Sequence, residues 1–250
     1  MSILRVSVVA EFTVPGSGPE TTIVRTRLES CDTETQRVKS AETIAPSAIG
    51  PGMSLRSDDG VRTVYLELPP GPARIEGSAK VRHRKPIHTS RRIPAIGWEQ
   101  CAAMVRAVRS NGRTGDATTV SVPQALFIAS AAMPSPGAPI DDDARDLAFS
   151  TLSPGQPLIL GVAEVARRIA DRNLDSVAAT HKMLAAMRAV GLAAAYVMGA
   201  SPERGIHSWA NVYIPGYSWF PIDPLTAQPV EDGAVTLVWG RDAGDSLPVR

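Results

Sequence analysis

The stretch from Ile206 to Leu225 reads IHSWANVYIPGYSWFPIDPL and has the pattern of a β-hairpin. Two runs of β-branched and aromatic residues flank a Pro-Gly turn, which is a typical hairpin signal. A two-residue loop would place His207 opposite or nearly opposite Asp223, with Cβ atoms roughly 4.5–5.5 Å apart if directly paired. Neighbouring loop types shift this pairing by about one residue. The pair predicts a base and a carboxylate that orients it. The alternative is that His207 simply begins a strand and Asp223 starts an Asp-Pro turn.

A helix is predicted before the hairpin, in the stretch LDSVAATHKMLAAMRAVG from Leu174 to Gly191. Small and apolar residues recur at helical spacing and predict one buried face, at positions 176, 179, 180, 183, 184, 187, 190 and 191. Ser176 lies on that face at the helix N-terminus, where backbone N–H groups favour a developing negative charge. Asp175 is the expected N-cap. If the hairpin packs across this terminus, Ser176 could act as a nucleophile, His207 as its base and Asp223 as the carboxylate that orients the base.

Five further residues in this half are candidates for a role. His181 is a competing base one turn beyond the serine, but it lies off the buried face and is predicted to be exposed or peripheral. Trp209 and Trp219 are predicted on a buried sheet face, with walls of a substrate-binding groove as the alternative. Arg241 and Asp242 are predicted to form a structural ion pair rather than to act in catalysis.

The first ninety residues have the pattern of strands. β-Branched residues at partly alternating positions occur in RVSVVAEFTV, TIVRTRLES, RTVYLELP and ARIEGSAKVRH, with SDDG and PPGP as turns. They predict an antiparallel β domain built of hairpins over residues 1–90. Residues 91–121 are predicted to hold the end of a basic linker, RKPIHTSRRIP, and a connecting helix in which Cys101 is a small buried residue. Residues 122–250 are predicted to form a core of helices and antiparallel sheet, so the fold class is α+β.

Composition argues against several functional classes. The 250 residues are 44% hydrophobic with a formal net charge of +1, enough for a core but without the basic excess of a nucleic-acid binder. No apolar run reaches the length of a membrane span, and the N-terminus lacks a convincing signal peptide, so a cytoplasmic protein without a membrane partner is predicted. Cys31 and Cys101 support neither a disulfide framework nor a zinc site. No motif implies a metal or organic cofactor, and none specifies an oligomeric state.

The C-terminal half resembles the transglutaminase-like superfamily, specifically its bacterial cysteine-peptidase branch with an N-terminal β domain. HSWANVYIPGYSWFPIDP is similar to the family's histidine strand, turn and aspartate strand, and AMRAVGLAAAYVMG to the end of its nucleophile helix and the next strand. ALFIASAAMPSPGAPIDDDARDLA resembles its entry segment, and VTLVWGRDAGDSLPVR its closing segment. The resemblance implies a papain-like α+β core that acts on amide or peptide bonds with a Cys-His-Asp triad. It implies a thioester intermediate that is passed to an amine or to water.

The resemblance places His207 on the family's histidine, Asp223 on its aspartate and Ser176 on its nucleophilic cysteine. Leu174 stands where a glycine is common, Ala178 stands where an acidic residue is common, and the aromatic-rich segment before the helix is abbreviated. Three hypotheses remain open. The first is an acyl-transfer enzyme with a serine nucleophile, acting on a peptide, protein or small amide substrate. The second is an inactive peptide- or protein-binding module, and the third is a cysteine deliberately replaced to trap a substrate. A hydroxyl needs stronger base assistance than a thiol, so a Cys-His site does not automatically serve a serine.

Overall fold

The computed structural model describes residues 3–16, 21–26, 36–46, 48–49, 53–56, 62–83, 93–111, 122–201, 203–230 and 234–246. Cys31, the predicted SDDG turn and most of the predicted linker lie outside these residues. The chain divides into two compact units. The first consists of Met1–Ile87, Val235–Val238 and Leu247–Arg250, and the second of His88–Ala234 and Trp239–Ser246. The predicted boundaries at residues 90 and 121 stay a prediction.

Among the described residues 3–83, the first unit has two antiparallel sheets of three strands each. Its strands are β1 (Ile3–Val14), β2 (Thr22–Thr26), β3 (Gln36–Ile44), β4 (Met53–Arg56), β5 (Arg62–Leu68) and β6 (Gly71–His83). The sheets have the orders β1-β6-β3 and β2-β5-β4. The core includes Val8, Leu66, Leu68, Ile75 and Val81, all of them buried.

The antiparallel pairing was predicted, but the prediction that hairpins build the first unit was wrong. Ile3 of β1 pairs with Arg82 of β6, so the longest ladder joins the first and the sixth strand of the chain. Among the described strands, only β4 and β5 pair as sequence neighbours in this unit. The sequence pattern also gave no sign of β3 or β4. Alternation specifies which side chains share a face, but it does not specify which strand lies alongside.

The second unit has six helices among the described residues, and they accompany one sheet. The helices are α1 (Trp98–Asn111), α2 (Val122–Ala131), α3 (Asp142–Thr151), α4 (Leu158–Ala170), α5 (Ser176–Ala189) and α6 (Ala243–Ser246). The strands of this unit are β7 (Ala194–Ser201), β8 (Gly205–Ile214), β9 (Ser218–Asp223) and β10 (Gln228–Pro229), together with the last two residues of β11 (Val235–Gly240). The sheet has the order β10-β9-β8-β7-β11, and Trp239 and Gly240 at the end of β11 belong to this unit. The predicted α+β fold class is confirmed.

Helix α5 is the central helix of the second unit. From Met183 to Arg188 every residue is buried, although only one face was predicted to be. Its apolar side chains belong to one cluster with Ala210, Val212 and Ile214 of β8 and Ile222 of β9. The even-numbered Ser208 of β8 also bonds Ser176, so the start of the helix lies against the face of β8 that carries the even-numbered residues, because side chains alternate along a strand.

The hairpin of β8 and β9 has a three-residue loop, Pro215 to Tyr217, closed by the pair Ile214 and Ser218. This loop is one residue longer than the two-residue loop of the sequence prediction. The register of the pair Ala210 and Ile222, extended by one residue, places Trp209 opposite Asp223. His207 is therefore a diagonal neighbour of Asp223 on the same face, a separation that long side chains bridge.

Candidate active site

The N-terminus of α5 is capped as the sequence predicted. Asp175 is the N-cap, and its Oδ1 accepts the N–H of Ala178 at 2.8 Å. Ser176 is the first helical residue and is half-buried. The N–H groups of Ser176 and Val177 have no acceptor within the helix, because the first turn has no preceding carbonyls to bond.

Strand β8 is hydrogen-bonded to this helix end through Ser208. The buried Ser208 Oγ donates to the carbonyl oxygen of Ser176 at 2.8 Å. Thr180 Oγ1 donates to the same carbonyl at 2.7 Å and lies 3.3 Å from Ser208 Oγ. These contacts fix the start of α5 against the strand that carries His207. Sequence reasoning missed Ser208, whose signal was its place directly after the candidate base.

His207 and Asp223 lie within ion-pair distance of each other and are both buried. His207 Nε2 is 3.7 Å from Asp223 Oδ2, which is too long for a hydrogen bond. The other ring nitrogen, Nδ1, is 3.0 Å from the carbonyl oxygen of Gly205. Since a carbonyl can only accept, this contact requires the proton on Nδ1.

The Asp223 carboxylate accepts two hydrogen bonds. Its Oδ1 accepts the N–H of Leu225 at 2.9 Å, and its Oδ2 accepts a hydrogen bond from Arg204 Nη1. The same Oδ2 is the oxygen nearest His207. Sequence reasoning did not identify Arg204, because nothing in the local pattern links a residue before β8 to the carboxylate at the end of β9.

The structure brings together two of the three predicted catalytic residues. Ser176 Oγ forms no hydrogen bond with His207 or with any other residue in the described ranges. Ser208 contacts Ser176 from one face of β8, whereas His207 leaves the strand on the other face. The serine and the imidazole are thus on adjacent elements without a direct bond in this resting arrangement.

The two predicted substrate-binding tryptophans have different surroundings. Trp209 is 2% exposed, and its ring centroid is 5.2 Å from that of His207. Trp219 is 7% exposed and packs edge-on against Phe127 and Trp239, with centroid distances of 5.4 and 5.9 Å. The prediction of a buried sheet face agrees with both positions. Trp209 borders the candidate base, while Trp219 belongs to an aromatic cluster in the core.

His181 is half-buried rather than exposed, because Ala243 of the closing segment lies against it. Its Nε2 accepts the N–H of Ala243 at 3.1 Å, and its ring lies against Tyr196 at 5.4 Å between centroids. Burial lowers the pKa of His181, an effect that the nearby carboxylate of Asp242 partly opposes. The ring therefore serves as a neutral acceptor rather than as a base for Ser176.

Cys101 is the small buried residue that its helical pattern predicted. It is 0% exposed, and burial raises the pKa of its thiol to about 12. A thiol in this environment is neither ionised near neutral pH nor reachable by substrate.

The closing segment contributes buried polar contacts to the second unit. Asp242 is buried and its Oδ2 accepts the N–H of Gly137 at 3.0 Å. The carbonyl oxygen of Arg241 accepts a hydrogen bond from the buried Arg188. Both contacts stabilise the fold, and neither involves His207 or Asp223.

Two further properties concern possible partners of the described residues. No group of three or more His, Cys, Asp or Glu side chains in the described part of the chain is arranged to hold a metal ion. Within the same ranges, no helix has the length and hydropathy needed to cross a bilayer.

Comparison with known proteins points to one superfamily. Residues 171–224, which include Ser176, His207 and Asp223, match the family model of the transglutaminase-like superfamily. No curated protein sequence matches the chain significantly. A crystal structure from Cytophaga hutchinsonii, described as that of a candidate cysteine protease, is similar in fold with a TM-score of 0.69 and 17% sequence identity. The similarity covers 100% of this chain and 87% of that one. Residues 171–224 are thus similar to the transglutaminase-like superfamily, and the fold of the chain is similar to that of the Cytophaga hutchinsonii protein.

Proposed function

We propose that the second unit is an acyl-transfer enzyme that acts on an amide or peptide bond with Ser176 as nucleophile, His207 as base and Asp223 as the group that orients the base. One observation carries this proposal. A buried imidazole lies 3.7 Å from a buried carboxylate, on the strand whose next residue is hydrogen-bonded to the backbone of Ser176. Amide hydrolysis by this route needs a nucleophile, a base and a group that orients the base, and the proposal assigns these roles to residues on adjacent elements.

In the proposed reaction, Ser176 Oγ attacks the carbonyl carbon of the substrate amide while its proton passes to His207. The negative charge that develops on the carbonyl oxygen is stabilised by the free N–H groups in the first turn of α5. The amide C–N bond then breaks, and the leaving nitrogen takes the proton from the imidazolium. The resulting ester on Ser176 is resolved by water, which gives hydrolysis, or by an amine, which gives transfer. The substrate is a peptide, a protein or a small amide.

Covalent labelling of the full chain with a serine-directed fluorophosphonate tests the nucleophile. We expect one adduct on Ser176, located by mass spectrometry, and its loss in Ser176→Ala. Ser130→Ala is the matched control, because Ser130 is a half-buried helical serine outside the site. His207→Gln should slow labelling by about 10²–10⁴-fold, the usual contribution of a general base. Absence of any adduct, together with absence of amide and ester turnover, would refute the enzyme.

A thiol at the same position tests whether His207 can reach the nucleophile. Ser176→Cys should be made with Cys31→Ser, and Cys101 can stay because its buried thiol has a pKa of about 12. We expect iodoacetamide to alkylate the new thiol at mildly acidic pH, below the usual thiol pKa of about 8.5, because a nearby imidazolium stabilises the thiolate. Adding His207→Gln should restore an ordinary thiol profile. An ordinary profile without that second change would mean that the imidazole is out of reach.

A second candidate function is a peptide-binding module without catalysis. It is favoured by the hydrogen bond of His207 Nδ1 to Gly205 and by the lack of a bond between Ser176 Oγ and the imidazole. For this function, fluorescently labelled extended peptides should bind equally well to the unaltered chain and to His207→Ala, with no covalent product from either. Loss of binding in a folded His207→Ala variant would contradict it.

A further inference from the structure

We propose that Arg204 is a positioning residue that holds the site in its resting arrangement by occupying the Asp223 oxygen that His207 needs. The inference rests on the proposed function, because it concerns how His207 becomes a base. Arg204 Nη1 donates to Asp223 Oδ2, the oxygen that lies 3.7 Å from His207 Nε2.

The two ring nitrogens of His207 have separate tasks in the proposed reaction. Nε2 faces Asp223, so Nδ1 is the nitrogen left to accept the proton of Ser176. In the structure Nδ1 donates to the carbonyl of Gly205 and therefore carries a proton already. A neutral imidazole with this proton has its lone pair on Nε2, where it faces a carboxylate that cannot donate. This tautomer cannot act as a base toward Ser176 through Nδ1.

The working tautomer has the proton on Nε2 and the lone pair on Nδ1. Solvent delivers one proton to Nε2 and takes up the proton of Nδ1, so the ring carries the same number of protons in both tautomers. Nε2–H then donates to Asp223 Oδ2, and Nδ1 no longer bonds the Gly205 carbonyl.

Because Asp223 is buried, the group that donates to its carboxylate determines which tautomer of His207 is stable. The Asp223 side chain is 6% exposed and the His207 side chain 7%, so water does little to solvate the carboxylate. A buried carboxylate oxygen requires a donor. Arg204 supplies one, and the imidazole Nε2, 3.7 Å from the same oxygen, is a second group that can do so when it carries a proton. The Arg204 side chain is 31% exposed and is thus the member of the three that can turn toward solvent or substrate.

Long-range ¹H–¹⁵N NMR spectra report directly which ring nitrogen of a histidine carries the proton. The chain has four histidines, and His207→Gln identifies the signal of His207 by difference. We expect the Nδ1–H tautomer in the unaltered chain and the Nε2–H tautomer in Arg204→Gln. Arg204→Lys, which retains a cationic donor, should restore the resting tautomer. Arg172→Gln is the matched control, because Arg172 forms an ion pair with Asp143 at a similar exposure of 35%.

The same variants have an expected effect on reactivity. Arg204→Gln should raise the rate of fluorophosphonate labelling of Ser176 about tenfold, as expected for a tenfold gain in the population of the competent tautomer. The control Arg172→Gln should leave that rate unchanged. If Arg204→Gln does not fold, the tautomer of the unaltered chain still decides the matter, because a resting Nε2–H form overturns the proposal.

The role of Arg204 and the catalytic role of Ser176 give different experimental outcomes when they fail. A tautomer that responds to Arg204 in a chain whose Ser176 is never labelled supports the positioning role and refutes the serine enzyme. Labelling of Ser176 with a tautomer that is Nε2–H from the start, or that Arg204→Gln leaves unchanged, supports the enzyme and overturns the role of Arg204.

Discussion

Replacing Arg188 by methionine should destabilise the second unit more than any single surface change. Arg188 lies near the end of α5 and is 3% exposed. Its guanidinium donates to the carbonyl oxygen of Ala131 at 2.9 Å, to Ser135 Oγ at 2.9 Å and to the carbonyl oxygen of Ala194 at 2.8 Å. It also donates to the carbonyl oxygen of Arg241. One side chain therefore bonds acceptors at the end of α2, in the segment after α2, at the start of β7 and just after β11.

The magnitude follows from the acceptors that Arg188→Met would leave behind. Methionine fills a similar volume but cannot donate a hydrogen bond. Each buried carbonyl that loses its donor costs about 1–3 kcal/mol, whereas a hydroxyl can turn to another partner. The carbonyls of Ala131 and Ala194 are buried and that of Arg241 is partly buried, which gives about 2–3 kcal/mol even at the low end of this range. Release of the buried charge offsets part of any larger figure, so we expect a loss of about 3 kcal/mol from a total of about 5–15 kcal/mol.

Denaturant unfolding followed by tryptophan fluorescence measures this loss. All four tryptophans, Trp98, Trp209, Trp219 and Trp239, belong to the second unit, so the signal reports on that unit. Arg172→Met is the control, since the ion pair of Arg172 with Asp143 is exposed and should contribute less than about 1 kcal/mol. A loss below about 1 kcal/mol for Arg188→Met, or one equal to the control, would show that the guanidinium bonds contribute little.

Three further predictions concern single side chains. Asp175→Ala should lower the free energy of unfolding by about 1 kcal/mol in the same assay, because it removes the acceptor of the Ala178 N–H; an unchanged midpoint would contradict the cap. Cys101 should resist alkylation in the folded protein at mildly alkaline pH and react only after denaturation, because burial raises its thiol pKa to about 12; rapid labelling of the folded chain would mean that the helix opens. Burial lowers the pKa of His181, so the unfolded chain binds a proton more readily and the free energy of unfolding should fall as pH drops below 6.5. His181→Gln, which keeps an acceptor for the Ala243 N–H, should flatten that pH dependence, and an equally steep profile would assign it to another group.

The helices of the second unit could be predicted because their burial is periodic and local. In α4 the predicted inner residues Leu158, Val162, Val165 and Ile169 are all buried. Spacing along one helix is enough to identify such a face, since it depends only on the helical repeat. The hairpin was predictable for the same reason, and only the length of its loop remained open.

Pairing between distant strands could not be predicted from the same patterns. The ladder from Ile3 with Arg82 to Val14 with Gly71 spans almost the whole first unit. Alternating side chains are equally compatible with a near or a distant partner strand. The choice depends on how the complete set of faces packs, which no single stretch encodes.

The burial and contacts of two arginines differ most from what the sequence pattern predicted. Arg188 lies off the predicted buried face of α5, yet it is enclosed because helices and strands surround that end of the helix. Arg204 reaches a carboxylate 19 residues away along the chain. Burial of a charge depends on acceptors contributed by other elements, so its prediction requires the tertiary fold.

The two candidate functions differ in the position of one proton. A catalytic base must present a lone pair to Ser176, whereas a structural histidine can keep its proton on Nδ1 and bond the Gly205 carbonyl permanently. The bond seen in the structure belongs to the second state, but Asp223 lies close enough to Nε2 to stabilise the first once Arg204 is displaced. A serine depends on this proton more than a cysteine would, because a hydroxyl is not ionised without a base. The change from cysteine to serine that the family resemblance implies would therefore make activity conditional on Arg204, and a protein with a fixed Nδ1–H tautomer would retain only binding.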